Sequence, residues 1–540
     1  MKTLPRKHLP LFVLLAIAFL YLLPHVNHFY VPASDFFDID EKAKLLQSFS
    51  WPKDFKRPPL FPLLTALLAA PFAGKYAVLY VAELLTLASA LGALFFLYRI
   101  SERLIGNAAF WIAWLWIIHP STLLMAVKPK PDMAALFCIL WAFDWYLQGN
   151  KKAFFPASLA TLLRYEGAVA IAAFFTADFL FSRQKLRSFL LSILSGSFIV
   201  IWTLLHSGGG EGAGYGDYFE GLRVNFDFLK DFAEQLLEII PLPLKLTSTI
   251  SVLVGLFGFY RIFRVSRQAV ASLTVYAAGF IAMHLIWPFP SRDYGVLGVW
   301  VFILFIIAGI LTIVEKAAAS RRSSLRIDVK VIRLVAAATF VAVIFLFIRQ
   351  RLVFHPLAVV GFVLVAALYL SGKESVFHSR AALMTLTAAF IVASFSLSLS
   401  KKTFEKIKIE KAEYRLVGEW FEKHRLPGEK MAVDQPAIVS YFTSLDKAND
   451  FIRLVDLPKV DPDSLAEWLC ENRAAYIVWF TSQKMPQNPD AWTRWKFQNR
   501  GWQTVAFLEG RNAHPAFLLA DSVGSGKSRA FIFRLNCGIK

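Results

Sequence analysis

The sequence predicts a polytopic α-helical membrane protein with a C-terminal extracytoplasmic α/β domain, and three observations carry that expectation. Of its 540 residues, 56% are hydrophobic and 18% charged, with a mean hydropathy of +0.51, which is too apolar for a water-soluble globule of this length. Apolar runs of spanning or near-spanning length recur from Leu9 to Leu399, whereas Lys401 to Lys540 is mixed in polarity. Most basic residues of the first 400 positions sit in short loops between those runs. The formal charge of +19 therefore reads as a topology signal and turns away from nucleic-acid binding.

Spans are expected at residues 10–24, 76–98, 107–124, 132–148, 153–163, 167–181, 188–205, 244–262, 269–287, 294–314, 331–348, 354–371 and 382–399, about thirteen in all. Lys2, Arg6 and Lys7 precede the first run, and Pro5, Pro10 and the lack of a small-residue cleavage site favour a retained anchor with a cytoplasmic start. With that start, Arg99 and Arg103, Lys151 and Lys152, Arg183 with Lys185 and Arg187, Arg261 with Arg264 and Arg267, Arg321 with Arg322 and Arg326, and Lys373 with Arg380 all share one side. An odd number of spans then sets the C-terminal domain outside. This alternation requires the apolar stretch 153–181 to turn at Arg164-Tyr165-Glu166 and make two short passes.

The expected domains are a membrane domain over 1–399 and a soluble α/β domain over 400–540. Three outer segments stand out in the first. Residues 25–57 read as one or two interfacial helices with Phe36, Phe37, Leu45, Leu46, Phe49 and Trp51 as apolar contacts. Residues 206–243 begin with the glycines Gly208 to Gly216 and continue as an amphipathic stretch, Tyr218 to Ile240, the composition of a mobile lid. Lys128 to Asp132, with its two prolines, reads as short and extended. In the soluble domain, helices are expected at Tyr414–His424 and Ser464–Asn472, and strands at Met431–Asp434, Ala475–Phe480, Thr504–Glu509 and Ala530–Leu535. Cys470 and Cys537 could pair if that domain faces an oxidising compartment, and Cys138 lies in an apolar run.

Charges beside apolar runs are costly and mark candidate chemistry. Asp35, Asp38, Asp40 and Glu41 follow the first span closely. On a helix Asp35 and Asp38 share a face, as do Asp38 and Glu41, whereas the formal DxD of Asp38-Ile39-Asp40 diverges. A solvated acidic helix start is the plain alternative for these residues. Lys56-Arg57-Pro58-Pro59-Leu60-Phe61-Pro62 follows, where the prolines break the chain before an apolar segment re-enters the membrane. Here the sequence resembles the GT-C superfamily of glycosyltransferases, in particular the dolichyl-phosphate-mannose protein mannosyltransferase-like group that includes the aminoarabinose transferases of lipid A. The acidic outer loop with the small Ala43, the Arg57-Pro58-Pro59 segment, Asp132 opening a span, Leu163-Arg164-Tyr165-Glu166-Gly167 and Ser291-Arg292-Asp293-Tyr294 carry the likeness in order, across roughly residues 10–310. Tyr165 stands where the group has proline, and Asp293 separates Arg292 from Tyr294.

The resemblance implies sugar transfer, with inversion, from a polyprenyl- or dolichyl-phosphate-linked donor to an acceptor protein, lipid or glycan on the extracytoplasmic face. Such transfer needs a base for the acceptor hydroxyl and cations for the departing phosphate. Asp35 is the first candidate base and Asp38 the second. Lys128, Lys130, Arg164, Arg292 and, more weakly, Arg57 are the phosphate candidates, with Asp132, Glu166 and Tyr165 in support. Interfacial snorkelling is the plain alternative for the lysines, and a mutual ion pair for Arg164 with Glu166. No cofactor is assigned; His119 and His284 near outer span ends could join acids in holding a divalent metal, and a capped helix end or hydrogen-bonded core histidine is the plain alternative for each. Gly524-Ser525-Gly526-Lys527-Ser528 ends like a phosphate loop, but Asp521 stands where that motif needs glycine, and the segment reads as a polar turn. A transporter or flippase and a non-enzymatic scaffold are the rival classes. The first would place charges at mid-span in matched halves; here they cluster at span ends.

Overall fold

The structure, a computed structural model, describes residues 9–27, 30–32, 34–52, 57–206, 226–238, 244–286, 292–320, 404–405, 408–486, 494, 497, 500–510, 514–525 and 528–537. The chain divides into two compact units, one of Met1–Val26 with Lys42–Phe404 and one of Asn27–Glu41 with Glu405–Lys540.

The first unit is helical. Its elements in chain order are α1 (Leu9–Leu22), the end of α2 (Ser34–Gln47), α3 (Leu60–Ala69), α4 (Ala77–Ile105), α5 (Ala109–Ile118), α6 (Pro120–Met125), α7 (Asp132–Leu147), α8 (Phe154–Leu163), α9 (Gly167–Phe181), α10 (Lys185–His206), α11 (Asp227–Leu237), α12 (Leu244–Val265), α13 (Arg267–Ile286) and α14 (Val296–Ser320). Among the described residues, five helices are long and apolar enough to cross a bilayer: Ala77–Ile105, Lys185–Leu204, Ser248–Val265, Arg267–Ile286 and Val296–Ile313. The expected spans at 331–348, 354–371 and 382–399 lie outside the described residues, as do the glycines from Gly208 to Gly216.

Local chemistry sets the breaks. Proline at position 120 bars its predecessor from the helical region, so His119 is extended (φ −61°, ψ 128°) and the run expected as a single span at 107–124 becomes α5 and α6. The apolar stretch 153–181 breaks where expected, with Arg164 extended (φ −153°, ψ 142°) between α8 and α9. Gly167 makes that turn close: a Cβ there would lie 2.4 Å from the Ala160 carbonyl carbon and the Thr161 nitrogen. Helix α3 was not among the expected spans; Pro58 and Pro59 lead into its ten apolar-rich residues. The core of this unit sits where α4, α7, α9, α13 and α14 pack together, around Phe143, Phe174, Tyr276, Phe280 and Trp300. Phe143 meets Phe174, Tyr276 and Trp300 edge-on at 4.9, 5.4 and 5.3 Å.

The second unit is a mixed α/β fold. It holds the start of α2 and, further along the chain, α15 (Ala412–His424), β1 (Lys430–Val433), α16 (Pro436–Tyr441), β2 (Phe451–Arg453), α17 (Pro462–Glu471), β3 (Ala474–Phe480), β4 (Phe517–Ser525) and β5 (Ser528–Leu535). The sheet runs β2-β1-β3-β5-β4, parallel across β2, β1 and β3 and antiparallel across β3, β5 and β4. β3 is apolar along its length because both its faces are covered. The segment expected as a strand at Thr504–Glu509 is instead a 3-10 helix over Trp502–Gly510. Val505 and Leu508, both fully buried, lie three residues apart, which places them on one side of a 3-10 turn and on opposite faces of a strand. The phosphate-loop look-alike falls where β4 gives way to β5, with Gly524 at φ +85° and Ser525 paired to Ser528. Cys470, at the end of α17, is bonded to Cys537, just past β5, with 5.8 Å between their Cα atoms.

Candidate active site

Three short connections of the helical unit converge on a cluster of charges. Lys128 and Lys130 lie between α6 and α7, Arg164 and Glu166 between α8 and α9, and Asp293 in the 3-10 turn Arg292–Gly295 before α14. The Lys128 to Asp132 segment is not extended as expected: it turns, with the Lys130 N–H donating to the Lys128 carbonyl at 2.7 Å and Pro131 in helical conformation as α7 begins. The two prolines fix φ near the helical value, so they drive the chain into the helix. This turn sends both lysines to one carboxylate. Lys128 Nζ donates to Asp293 Oδ1 at 3.1 Å, and Lys130 Nζ to Asp293 Oδ2 at 2.6 Å.

Arg164 forms the second half of the cluster. Its Nη1 donates to Asp132 Oδ1 at 3.0 Å, while Nη2 and Nε hold Glu166 Oε1 and Oε2 at 2.6 and 3.1 Å. The guanidinium thus spans an acid at the start of α7 and one at the start of α9, using the planar fork that lysine lacks. The mutual ion pair weighed for Arg164 and Glu166 is present, and Asp132 makes it a triad.

The electrostatics follow from partial burial. The side chains of Lys128, Lys130 and Asp293 are 12%, 13% and 18% exposed. Burial alone would push the Asp293 carboxyl up, but the ammonium groups of Lys130 and Lys128 outweigh it and hold the group well below the usual carboxylate range. At Glu166, burial again acts upward and Arg164 outweighs it, so its carboxyl is also lowered. The Tyr165 hydroxyl is raised by burial and by Glu166 beside it. Asp293 and Glu166 are therefore held as carboxylates by the cations beside them.

Helix α11 packs near this end of the unit. Phe228 stacks on His284 at 5.0 Å, Ser121 Oγ donates to Glu238 at 3.0 Å, and α11 packs against the Arg292–Gly295 turn. His119 lies 3.7 Å from Glu238, and His284 lies among Phe228 and Phe280. Neither histidine joins a three-residue set of metal ligands among the described residues.

The remaining predicted residues fall elsewhere. Asp35 and Asp38 belong to the second unit, on the first turns of α2, both half-buried. Burial lowers the pKa of Lys411 in that unit, as does Arg500, while Glu410, Asp35 and Asp434 act the other way. Phe36 and Phe37 meet Tyr441 edge-on at 6.0 and 5.1 Å, which fixes this end of α2 on α16. Arg57 is half-buried in the helical unit just before α3. The side chain of Arg292 and the whole of Lys56 lie outside the described residues. Sequence reasoning passed over Asp293 as an interruption of an Arg-Tyr pair, although it is the anchor of both lysines. It also passed over Glu83, which is 1% exposed within α4; an acid inside an apolar run was the available signal.

This architecture defines the class of fold: a polytopic helical membrane protein with a C-terminal mixed α/β sheet. Solved structures it is similar to include ArnT from Cupriavidus metallidurans and an oligosaccharyltransferase from Archaeoglobus fulgidus. The ArnT likeness extends over 97% of this chain. For the form bound to undecaprenyl phosphate, 97% of ArnT is covered at 12% identity with a TM-score of 0.55; for the apo form the values are 98%, 13% and 0.56. The apo oligosaccharyltransferase matches 88% of this chain and 70% of its own at 11% identity, with a TM-score of 0.50. No family model matches the sequence, and no curated protein does.

Proposed function

We propose that this chain is a membrane glycosyltransferase that moves a sugar from a polyprenyl-phosphate-linked donor to an acceptor on the extracytoplasmic face. The observation that carries the reading is the Lys128-Lys130-Asp293 and Arg164-Asp132-Glu166 cluster at the connections of a helical unit whose fold is shared with an undecaprenyl-phosphate-bound ArnT. Lys128, Lys130 and Arg164 bring three cationic groups to neighbouring connections of one unit, a grouping that suits an anion such as a lipid phosphate. In the reaction, the acceptor oxygen attacks the anomeric carbon as its bond to the phosphate oxygen breaks, and charge builds on the departing phosphate. Cations already fixed by carboxylates meet that charge without reorganising.

Asp35 is the proposed base, with Asp38 second: the carboxylate accepts the acceptor hydroxyl's proton as the new glycosidic bond forms. Arg57 and Arg292 are the proposed additional phosphate contacts, and Tyr165 shapes the turn that holds Arg164. The outer orientation is supported by the placement of the basic loops and by the Cys470–Cys537 disulfide, a bond that persists in oxidising compartments.

The test is transfer from a polyprenyl-phosphate sugar, labelled in the sugar, by the full chain in lipid nanodiscs. Asp35→Asn with Asp38→Asn should abolish transfer while leaving binding of polyprenyl phosphate within about twofold, because the base acts in the chemical step. Undiminished transfer by the double variant would end the base assignment.

A further inference from the structure

At the other end of the helical unit's charge pattern, a second site differs in kind. A cavity of about 950 Å³ opens between α8 and α10. Lys151, Lys152, Arg183 and Arg187 are among its lining residues. The apolar part of its wall includes Phe155, Leu162, Leu191 and Leu194, beside the polar Ser158, Ser195 and Gln268. Phe155 and Leu194 are 58% and 60% exposed, and they continue into a face of α10 where Leu186, Leu190 and Ile201 are open by more than half. Such a face on an apolar helix is lipid-facing.

The four cations are not equivalent. Lys151 is tied to buried Asp178, which also accepts from Tyr146 at 2.9 Å and Gln268 at 2.6 Å, so Lys151 serves the packing of α7, α9 and α13. Lys152, Arg183 and Arg187 are exposed, and no described carboxylate pairs with them. Three cations without acids beside an apolar wall open to the bilayer call for a ligand with an anionic head and a hydrocarbon tail.

We propose that this groove binds an anionic phospholipid of the surrounding leaflet, with its phosphate between Lys152, Arg183 and Arg187 and an acyl chain along Phe155, Leu162, Leu191 and Leu194. A soluble phosphate compound would leave the apolar part of the wall in water, and a zwitterionic lipid would leave the lining cations without a net counter-charge. The volume suits a headgroup and the upper part of one chain. On the orientation proposed above this is the cytoplasmic leaflet, where anionic lipid draws basic segments of proteins. The inference does not depend on glycosyl transfer.

The experiment is native mass spectrometry of the delipidated full chain in detergent, titrated separately with phosphatidylglycerol, phosphatidylcholine and inorganic phosphate. Phosphatidylglycerol should bind about tenfold more tightly than phosphatidylcholine, and Lys152→Gln/Arg183→Gln/Arg187→Gln should remove that preference. All three side chains are exposed, so the variant should fold. Leu194→Asp should weaken both lipids, because it breaks the apolar wall. Arg264→Gln/Arg267→Gln/Lys316→Gln, which removes equal charge outside the groove, should keep the preference. A preference that survives in the groove variant, or is lost equally in the control, would overturn the site. Displacement of phosphatidylglycerol by equimolar inorganic phosphate would overturn the lipid as its ligand.

Discussion

Arg164 concentrates the energetics of the cluster in one side chain. Its guanidinium pairs with Asp132 and Glu166, which are 1% and 7% exposed, so removing it strands two buried acids. Arg164→Ala should cost about 3–5 kcal/mol, read as a fall in the unfolding midpoint of the detergent-solubilised chain. Arg164→Lys should recover less than half of that, since an ammonium cannot grip both acids with a fork. Asp293 supplies a pH signature. Its folded carboxyl is depressed below the unfolded value of about 4, so the pairing with Lys128 and Lys130 contributes fully above that pH and is lost as pH falls through the folded value. Thermal unfolding should thus be insensitive to this group from pH 7 to 5 and decline on further acidification, and Asp293→Asn should flatten the decline. Lys128, Lys130, Arg164 and Glu166 were legible in the sequence because a charge beside an apolar run stands out. Asp293 was not, because an acid in a loop acquires meaning only when the fold brings α14 beside the α6–α7 turn.

The breaks between helices were legible where a proline or a charged tripeptide interrupts an apolar run. The turn between α8 and α9 is such a case, and Gly167 is the residue that permits it. Gly167→Ala would force a Cβ onto the Ala160 carbonyl, and we expect a loss of about 1–3 kcal/mol together with lower transfer, as Arg164 and Glu166 flank the displaced backbone. Unfolding with stabilities equal to the parent would show that the turn relaxes freely. Strand β4 escaped the sequence reading for the opposite reason: as an edge strand it exposes Leu518 and Leu519 and carries Asp521 and Ser522, so its pattern does not alternate cleanly. The 3-10 helix over Trp502–Gly510 escaped because a short apolar run has no period long enough to separate helix from strand.

At the scale of the whole molecule, hydropathy and loop charge made the membrane class plain, and the fold match at about one identical residue in eight shows how little side-chain identity this architecture requires. What such a fold demands is a pattern of apolar runs and breaks, and that pattern is what a sequence displays most openly. The Cys470–Cys537 bond, by contrast, could be named only as a pairing open to the domain. Joining residues 67 apart, it should stabilise the second unit by about 4 kcal/mol. Cys470→Ser/Cys537→Ser should therefore bring tryptic cleavage within residues 405–540 to a lower temperature in the intact chain, and unchanged cleavage would deny the bond that role.

The central claim is that Lys128 and Lys130 hold the phosphate of a polyprenyl carrier. The most direct measurement is equilibrium binding of polyprenyl phosphate to the full chain in nanodiscs, comparing the parent with Lys128→Ala/Lys130→Ala. Two charge-assisted contacts predict about a hundredfold weaker binding in the double variant, with sugar transfer falling at least as far. Equal binding of the carrier by parent and variant would contradict the account.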